Sequence, residues 1–207
     1  MIKVIIFDFD GVLINSINNM KFAWKNSCKK CGIKVSFNDY KKYVGLPFNQ
    51  ILFHLKIDKK KYLQITKNYN FFSTKKIHLL KLSKKNAYFL KSLIKKGYIL
   101  SLFTSKNRKR SNLILGNNKK LFKHKVFPSK NYRGKPHPDG IKKILSMGAY
   151  KKNEVIYLGD TKYDYLCAKN AHIKYIHANW GYQKIKIKKV KKINKLTDLK
   201  GYLDSEK

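Results

Sequence analysis

The 207-residue sequence is poor in negative charge: 11 Asp and Glu stand against 48 Lys and Arg, for a formal net charge of +37. Cysteine is also scarce, with three in all. An odd, sparse set excludes a disulfide framework and fits a reducing, cytoplasmic setting. Cys28-Lys29-Lys30-Cys31 has the spacing of half a zinc site, but no second pair or nearby His completes it. At helical spacing, Cys28 and Cys31 fall on the apolar face shared by Ile17, Met20 and Trp24, which reads as core. No run approaches the roughly 18 uninterrupted apolar residues of a membrane helix. The opening apolar run, Val4-Ile5-Ile6-Phe7, stops at Asp8, which argues against a secretory signal.

Arginine is nearly absent too. Only Arg108, Arg110 and Arg133 occur, and every other basic residue is Lys, spread along the chain without a dominant block. The size of the charge invites a nucleic-acid partner, but bidentate recognition of bases and phosphates favours Arg, so its scarcity and the dispersed Lys argue against one. Abundant Lys, Asn, Ile, Tyr and Phe fit an AT-rich coding sequence, with selection for an acidic partner as the alternative origin. Either way, phosphate-bearing substrates would be steered favourably by such a field.

What is present is an alternating pattern. Residues 2–9 read as a first strand. Helical periodicity then runs to about residue 96, in pieces at 17–31, 37–44, 48–55, 60–72 and 84–96. Ser36 suits the cap of the second piece, Gly45 its end, Pro47 the first turn of the third, and Gly97 the stop of the last. Strand 98–103, helix 107–115, strand 124–127, helix 137–147, strand 154–159, helix 162–171 and strand 173–177 follow. A basic strand-like stretch and a helix at 197–204 close the chain. Such alternation implies an α/β fold with a parallel, Rossmann-like sheet and right-handed crossovers. The helical block at 16–82 interrupts it after the first strand and reads as an inserted α-helical cap. The expected organisation is a core of 1–15 and 83–207 and a cap of 16–82, as a monomer or homodimer.

Four of the few carboxylates fall in two short motifs, Asp8-Phe9-Asp10 and Gly159-Asp160-Thr161-Lys162-Tyr163-Asp164. Each follows an apolar run, Val4–Phe7 or Val155–Leu158, and so emerges at a strand end, where open α/β sheets place their ligand crevice. Carboxylates gathered there point to a hard divalent cation and phosphoryl chemistry.

With Leu102-Phe103-Thr104-Ser105 and Gly134-Lys135-Pro136-His137-Pro138-Asp139, these motifs form four elements in order. In them the chain resembles the haloacid dehalogenase-like superfamily, in its phosphoglycolate-phosphatase-like branch with an α-helical cap. The resemblance spans nearly the whole chain. It implies a Mg²⁺-dependent phosphatase acting on a small phosphorylated metabolite, phosphoglycolate or a sugar phosphate. A phosphosugar mutase of the same superfamily and a non-catalytic polyanion-binding protein on this fold are the alternatives.

A carboxylate attacking a phosphate monoester faces repulsion of roughly 5 kcal/mol per unit pair at about 3.5 Å and an effective dielectric near 20, which cations must offset. By the resemblance, Asp8 is the nucleophile that forms an aspartyl-phosphate, and Asp10 protonates the leaving alcohol and then activates water. Thr104, with backbone N–H groups of Ser105 and Gly11, is expected to hold the phosphate beside Lys135. Asp8 and Asp160 are the implied Mg²⁺ ligands, with the backbone carbonyl of Asp10. Asp164 supports the metal through water or holds Lys135. Gly45-Leu46-Pro47-Phe48 resembles a cap segment facing the site, or is a plain helix–helix turn. Asn15 before Ser16 departs from the family's usual Asp, at the entry to the cap.

Overall fold

The computed structural model describes residues 1–206. Six strands form one parallel sheet: β1 Val4–Phe7, β2 Ile99–Phe103, β3 His124–Val126, β4 Val155–Gly159, β5 Lys174–Ala178 and β6 Lys191–Ile193, in the order β3-β2-β1-β4-β5-β6. The α/β, Rossmann-like architecture expected from the alternation is the one observed. Helices follow as α1 Ile17–Cys31, α2 Phe37–Lys41, α3 Phe48–His54, α4 Tyr62–Lys75, α5 Lys84–Lys95, α6 Arg108–Leu115, α7 Asp139–Met147, α8 Lys162–Ala171 and α9 Leu199–Asp204.

The strands are apolar throughout because both faces of the sheet are covered. Ile5, Phe7, Leu102, Ile156 and Leu158 pack on one side with Leu90 and Leu93 of α5 and Leu199 and Leu203 of α9. Val4, Ile6, Phe103, Val155 and Tyr157 pack on the other with Ile141 and Ile144 of α7 and Cys167 and Ala168 of α8. A third apolar cluster lies among α1 to α4, with Met20, Trp24, Cys28, Cys31, Leu52, Ile65 and Tyr69 buried together. Both cysteines of the Cys-x-x-Cys spacing are therefore core, and burial pushes the Cys28 thiol up to about 12. Ile17, expected on that face, is only half-buried.

Local signals behave as their chemistry dictates. Ser36 Oγ accepts the Asp39 N–H at 3.1 Å, capping α2. Gly97 takes a φ of +88°, past the end of α5. Four expectations need adjustment, one being the fourth helical piece, which spans Tyr62–Lys75 rather than 60–72. The first strand is Val4–Phe7, not 2–9, since Asp8-Phe9-Asp10 leaves the ladder for the loop above the sheet. The second helix stops at Lys41, before the turn that carries Gly45. Of the late basic stretch only Lys191–Ile193 pairs, parallel to β5 at the sheet edge.

Register positions the site. Phe7 lies level with Leu102 on one side and Leu158 on the other, so β2, β1 and β4 end together. From β1 the chain goes to β2 and β3 on one flank and returns to β4 on the other, which makes the β1/β4 gap the topological switch point.

Candidate active site

Asp8 follows β1, Thr104 follows β2 and Asp160 follows β4, so three motifs converge at the level strand ends. The fourth arrives from the loop between β3 and α7. Its Lys135 is buried, with Nζ 2.5 Å from Asp8 Oδ1 and 2.7 Å from Asp164 Oδ1. The ammonium also lies 5.0 Å from the Phe103 ring centroid and 5.4 Å from that of Tyr157. Burial alone would discharge this lysine, but Asp164 and Asp8 outweigh it and hold its pKa above the ordinary lysine range.

Carboxylate oxygens of Asp8, Asp160 and Asp164 lie within 4.8 Å of one another, all buried. Burial first, and then the neighbouring carboxylates against the opposing charge of Lys135, raise Asp8 from its ordinary 3.8 to about 7. Burial and the charge of Asp164 push Asp160 well above its ordinary range. Asp164 is held below that range: burial would raise it, but Lys135 and the hydrogen bonds it accepts prevail. Its Oδ1 accepts from Tyr157 at 2.7 Å, and its Oδ2 from the Thr161 hydroxyl at 2.7 Å and the Thr161 N–H at 3.0 Å.

Asp160 Oδ2 accepts the Tyr182 N–H at 2.6 Å, while Asp160 Oδ1 is buried without a partner. A buried orphan carboxylate oxygen is costly, and a cation satisfies it. The donor set is all oxygen, as Mg²⁺ prefers. Two glycines keep the space open: a Cβ on Gly11, whose φ is +90°, would lie 2.2 Å from Asp160 Oδ2, and one on Gly181 would lie 2.1 Å from Asp160 Cβ. The residues present therefore fit a hard divalent ion.

The Asp10 side chain is outside this carboxylate cluster. Its Oδ1 accepts from the Ser16 hydroxyl and lies 3.1 Å from Lys106 Nζ. Ser16 in turn donates its N–H to the Tyr182 hydroxyl at 2.7 Å. Thr104 is buried and its hydroxyl oxygen accepts the Lys106 N–H at 3.1 Å. Ser105 donates its hydroxyl to the Gly45 carbonyl at 2.7 Å, tying the helical block to the second motif. Gly45 and Phe48 also line the cavity above Asp8 and Asp10, with Tyr40, Tyr69, Lys106 and Arg110. That cavity has about 550 Å³ of empty space, open solvent at its mouth included. His137 lies in the turn before α7 and offers its backbone carbonyl to the Cys167 thiol. Asn15 is exposed and accepts the Ile17 N–H at 3.3 Å, at the start of α1.

The model of haloacid dehalogenase-like hydrolases matches residues 5–178. The chain belongs to that family. A phosphoglycolate phosphatase from Aquifex aeolicus is 27% identical over 188 residues, covering 88% of this chain and 87% of its own. A pyrophosphatase, PpaX, from Bacillus mycoides is 26% identical, covering 86% and 84%. The crystal structure of a hydrolase from Pseudomonas syringae superposes with a TM-score of 0.86 at 19% identity, covering 98% of each chain. The resemblance carried by the four motifs is thus borne out, and the chain is a phosphatase of the haloacid dehalogenase-like type.

Lys106, Arg110, Ser16 and Tyr182 are neighbours of the site that the sequence motifs did not single out. Lys106 sits two residues past Thr104, but one lysine among so many carries no contrast. Arg110 had a signal, since it is one of only three arginines.

Proposed function

We propose that this phosphatase is Mg²⁺-dependent and hydrolyses a small phosphorylated metabolite, phosphoglycolate or a sugar phosphate, through an aspartyl-phosphate on Asp8. The observation that carries the reading is the buried group of Asp8, Asp160 and Asp164 beside Lys135, with one Asp160 oxygen unpartnered. Asp8 and Asp160 would hold the ion, with the Asp10 backbone carbonyl. Asp164, whose two oxygens are engaged, braces Lys135 and the β4–α8 turn. A bound Mg²⁺ would supply positive charge against the phosphate and the carboxylates.

In the first half-reaction an Asp8 carboxylate oxygen bonds to phosphorus, the ester P–O bond breaks, and Asp10 gives its proton to the departing alkoxide. In the second, Asp10 takes a proton from water as the water oxygen bonds to phosphorus and the Asp8–phosphorus bond breaks. Lys106 and Ser16 hold the Asp10 carboxylate, the former at 3.1 Å. Thr104, with the N–H group of Ser105, orients the phosphate; the Gly11 N–H, expected to join them, is instead donated to the Ile14 carbonyl at 2.8 Å. Lys135 keeps a positive charge against Asp8.

The helical block at 16–82 serves as a cap that covers the cavity, excludes water and reads the leaving group. Support comes from Tyr40, Gly45, Phe48 and Tyr69, which line the cavity from that block. The relatives named above act on phosphoglycolate and pyrophosphate, both small phosphate compounds.

Phosphate release from a panel of phosphorylated metabolites, with Mg²⁺ and with excess chelator, tests the reading. Metal-dependent release of free phosphate is expected. Undiminished release in chelator would refute the metal assignment, and an isomerised phosphosugar as product would make the chain a mutase.

A further inference from the structure

Not every cation that lines the cavity has a carboxylate partner. Asp8 pairs with Lys135, and Asp10 pairs with Lys106. That leaves Arg110, which lines the same cavity from α6, without a carboxylate partner among the described residues. Its Nη1 donates to the Ser73 hydroxyl at 2.6 Å, and its guanidinium lies 5.6 Å from the Tyr69 ring centroid. Its Nε is buried and makes no hydrogen bond. A neutral hydroxyl and a ring face hold the fork in place but do not neutralise it. A guanidinium with a buried, idle donor is costly unless an anion completes it.

The position matters as much as the charge. The leaving oxygen must meet Asp10, so the leaving group extends into the cavity whose lining includes Asp10, Lys106, Tyr40, Tyr69 and Arg110, with Asp10 against Lys106 and Arg110 against Tyr69. The other two arginines are more exposed or engaged elsewhere: Arg108 is exposed, and Arg133 pairs with Asp139 at 3.2 Å. A planar fork suits a carboxylate or phosphate, and a sugar hydroxyl would leave its charge unmatched.

We infer that Arg110 reads a second anionic group on the leaving side of the substrate, so that the enzyme prefers phosphate compounds with an acidic leaving group over those with a neutral one. This deepens the proposed function and rests on it, choosing acidic leaving groups over neutral sugars. Arg110 is then a specificity residue held by Ser73 and Tyr69. Without an anion to read, Arg110 would be only a clasp between α6 and α4.

The test compares kcat/KM in Mg²⁺ for phosphoglycolate, pyrophosphate and 2-hydroxyethyl phosphate, which has no second anion. The wild-type protein should favour at least one acidic compound over the neutral ester by about 10- to 100-fold, roughly 1.4 to 2.8 kcal/mol. Whether carboxylate or phosphate gives the larger ratio identifies the anion. In Arg110→Gln that ratio should fall to within about threefold of one, and Arg110→Lys should retain an intermediate value because it keeps the charge without the fork. Each ratio is internal to one protein preparation, so partial misfolding cancels. A wild-type enzyme indifferent to the second anion, or an Arg110→Gln ratio equal to wild type, overturns the inference while leaving the phosphatase reading intact. Absence of metal-dependent turnover on any of the three compounds and on the metabolite panel overturns both.

Discussion

Replacing Lys135 with Met would remove the cation that three motifs share while keeping most of the side-chain volume. Its Nζ lies 2.5 Å from Asp8 and 2.7 Å from Asp164, and the residue is 1% exposed. At an effective dielectric of about 20, each contact represents a gross attraction of about 6 kcal/mol. Desolvating the ammonium cancels much of this, and orphaning one partner of a buried pair costs about 3–5 kcal/mol net. Lys135→Met should therefore lose about 3–5 kcal/mol of unfolding free energy in urea at neutral pH, with chelator present. The deficit should shrink in acid, because Asp8, already raised to about 7, takes up a proton and no longer calls for a cation. Activity should fall by about 10²–10³-fold, the usual loss for a single charge-stabilising donor. A stability loss under about 1 kcal/mol, or a loss independent of pH, would refute the reasoning that Lys135 holds the buried carboxylates together.

Gly11→Ala would place a Cβ 2.2 Å from Asp160 Oδ2; Mg²⁺ affinity by titration calorimetry should drop at least about tenfold, and unchanged affinity would contradict Asp160 as a ligand. The folded-state pKa of Asp8 is raised, so its own contribution to metal-free stability is greatest in acid and declines as pH rises from about 3.8 to about 7. The rise in Tm given by Mg²⁺ should accordingly grow across that window, and a pH-independent rise would remove Asp8 from the ion. Asp10→Asn should slow turnover of alkyl phosphates by about 10²–10⁴-fold, with a smaller loss in the first step for an aryl phosphate. Equal first-step losses on both esters in rapid-mixing kinetics would take the acid role from Asp10.

The site end of the sheet was legible because three of the four motifs follow an apolar run closed by a carboxylate or hydroxyl, a contrast that survives in a lysine-rich background. Helix α1 has the bounds its sequence indicates, 17–31, where Trp24, Cys28 and Cys31 mark one face; in the structure Gly32 ends it with a φ of +60°. Where β1 stops was not legible. Phe9 is as apolar as Phe7, and only pairing with β2 and β4 distinguishes them. The support around Asp10 was hidden for another reason. Ser16 and Tyr182 are 166 residues apart, and no local pattern links them. Tyr40 and Tyr69, whose hydroxyls meet at 3.0 Å, come from separate helices of the block. Lys106 was masked by composition, whereas the rarity of arginine made Arg110 visible without indicating what it faces.

The central claim is a covalent bond between Asp8 and phosphorus. Single-turnover reaction with a radiolabelled phosphate ester, quenched in acid and followed by peptide mapping, tests it directly. The account predicts transient label on the peptide containing Asp8, released by hydroxylamine, prolonged in Asp10→Asn and absent in Asp8→Asn. Full turnover with no labelled protein at any time, or label on a residue other than Asp8, would contradict it.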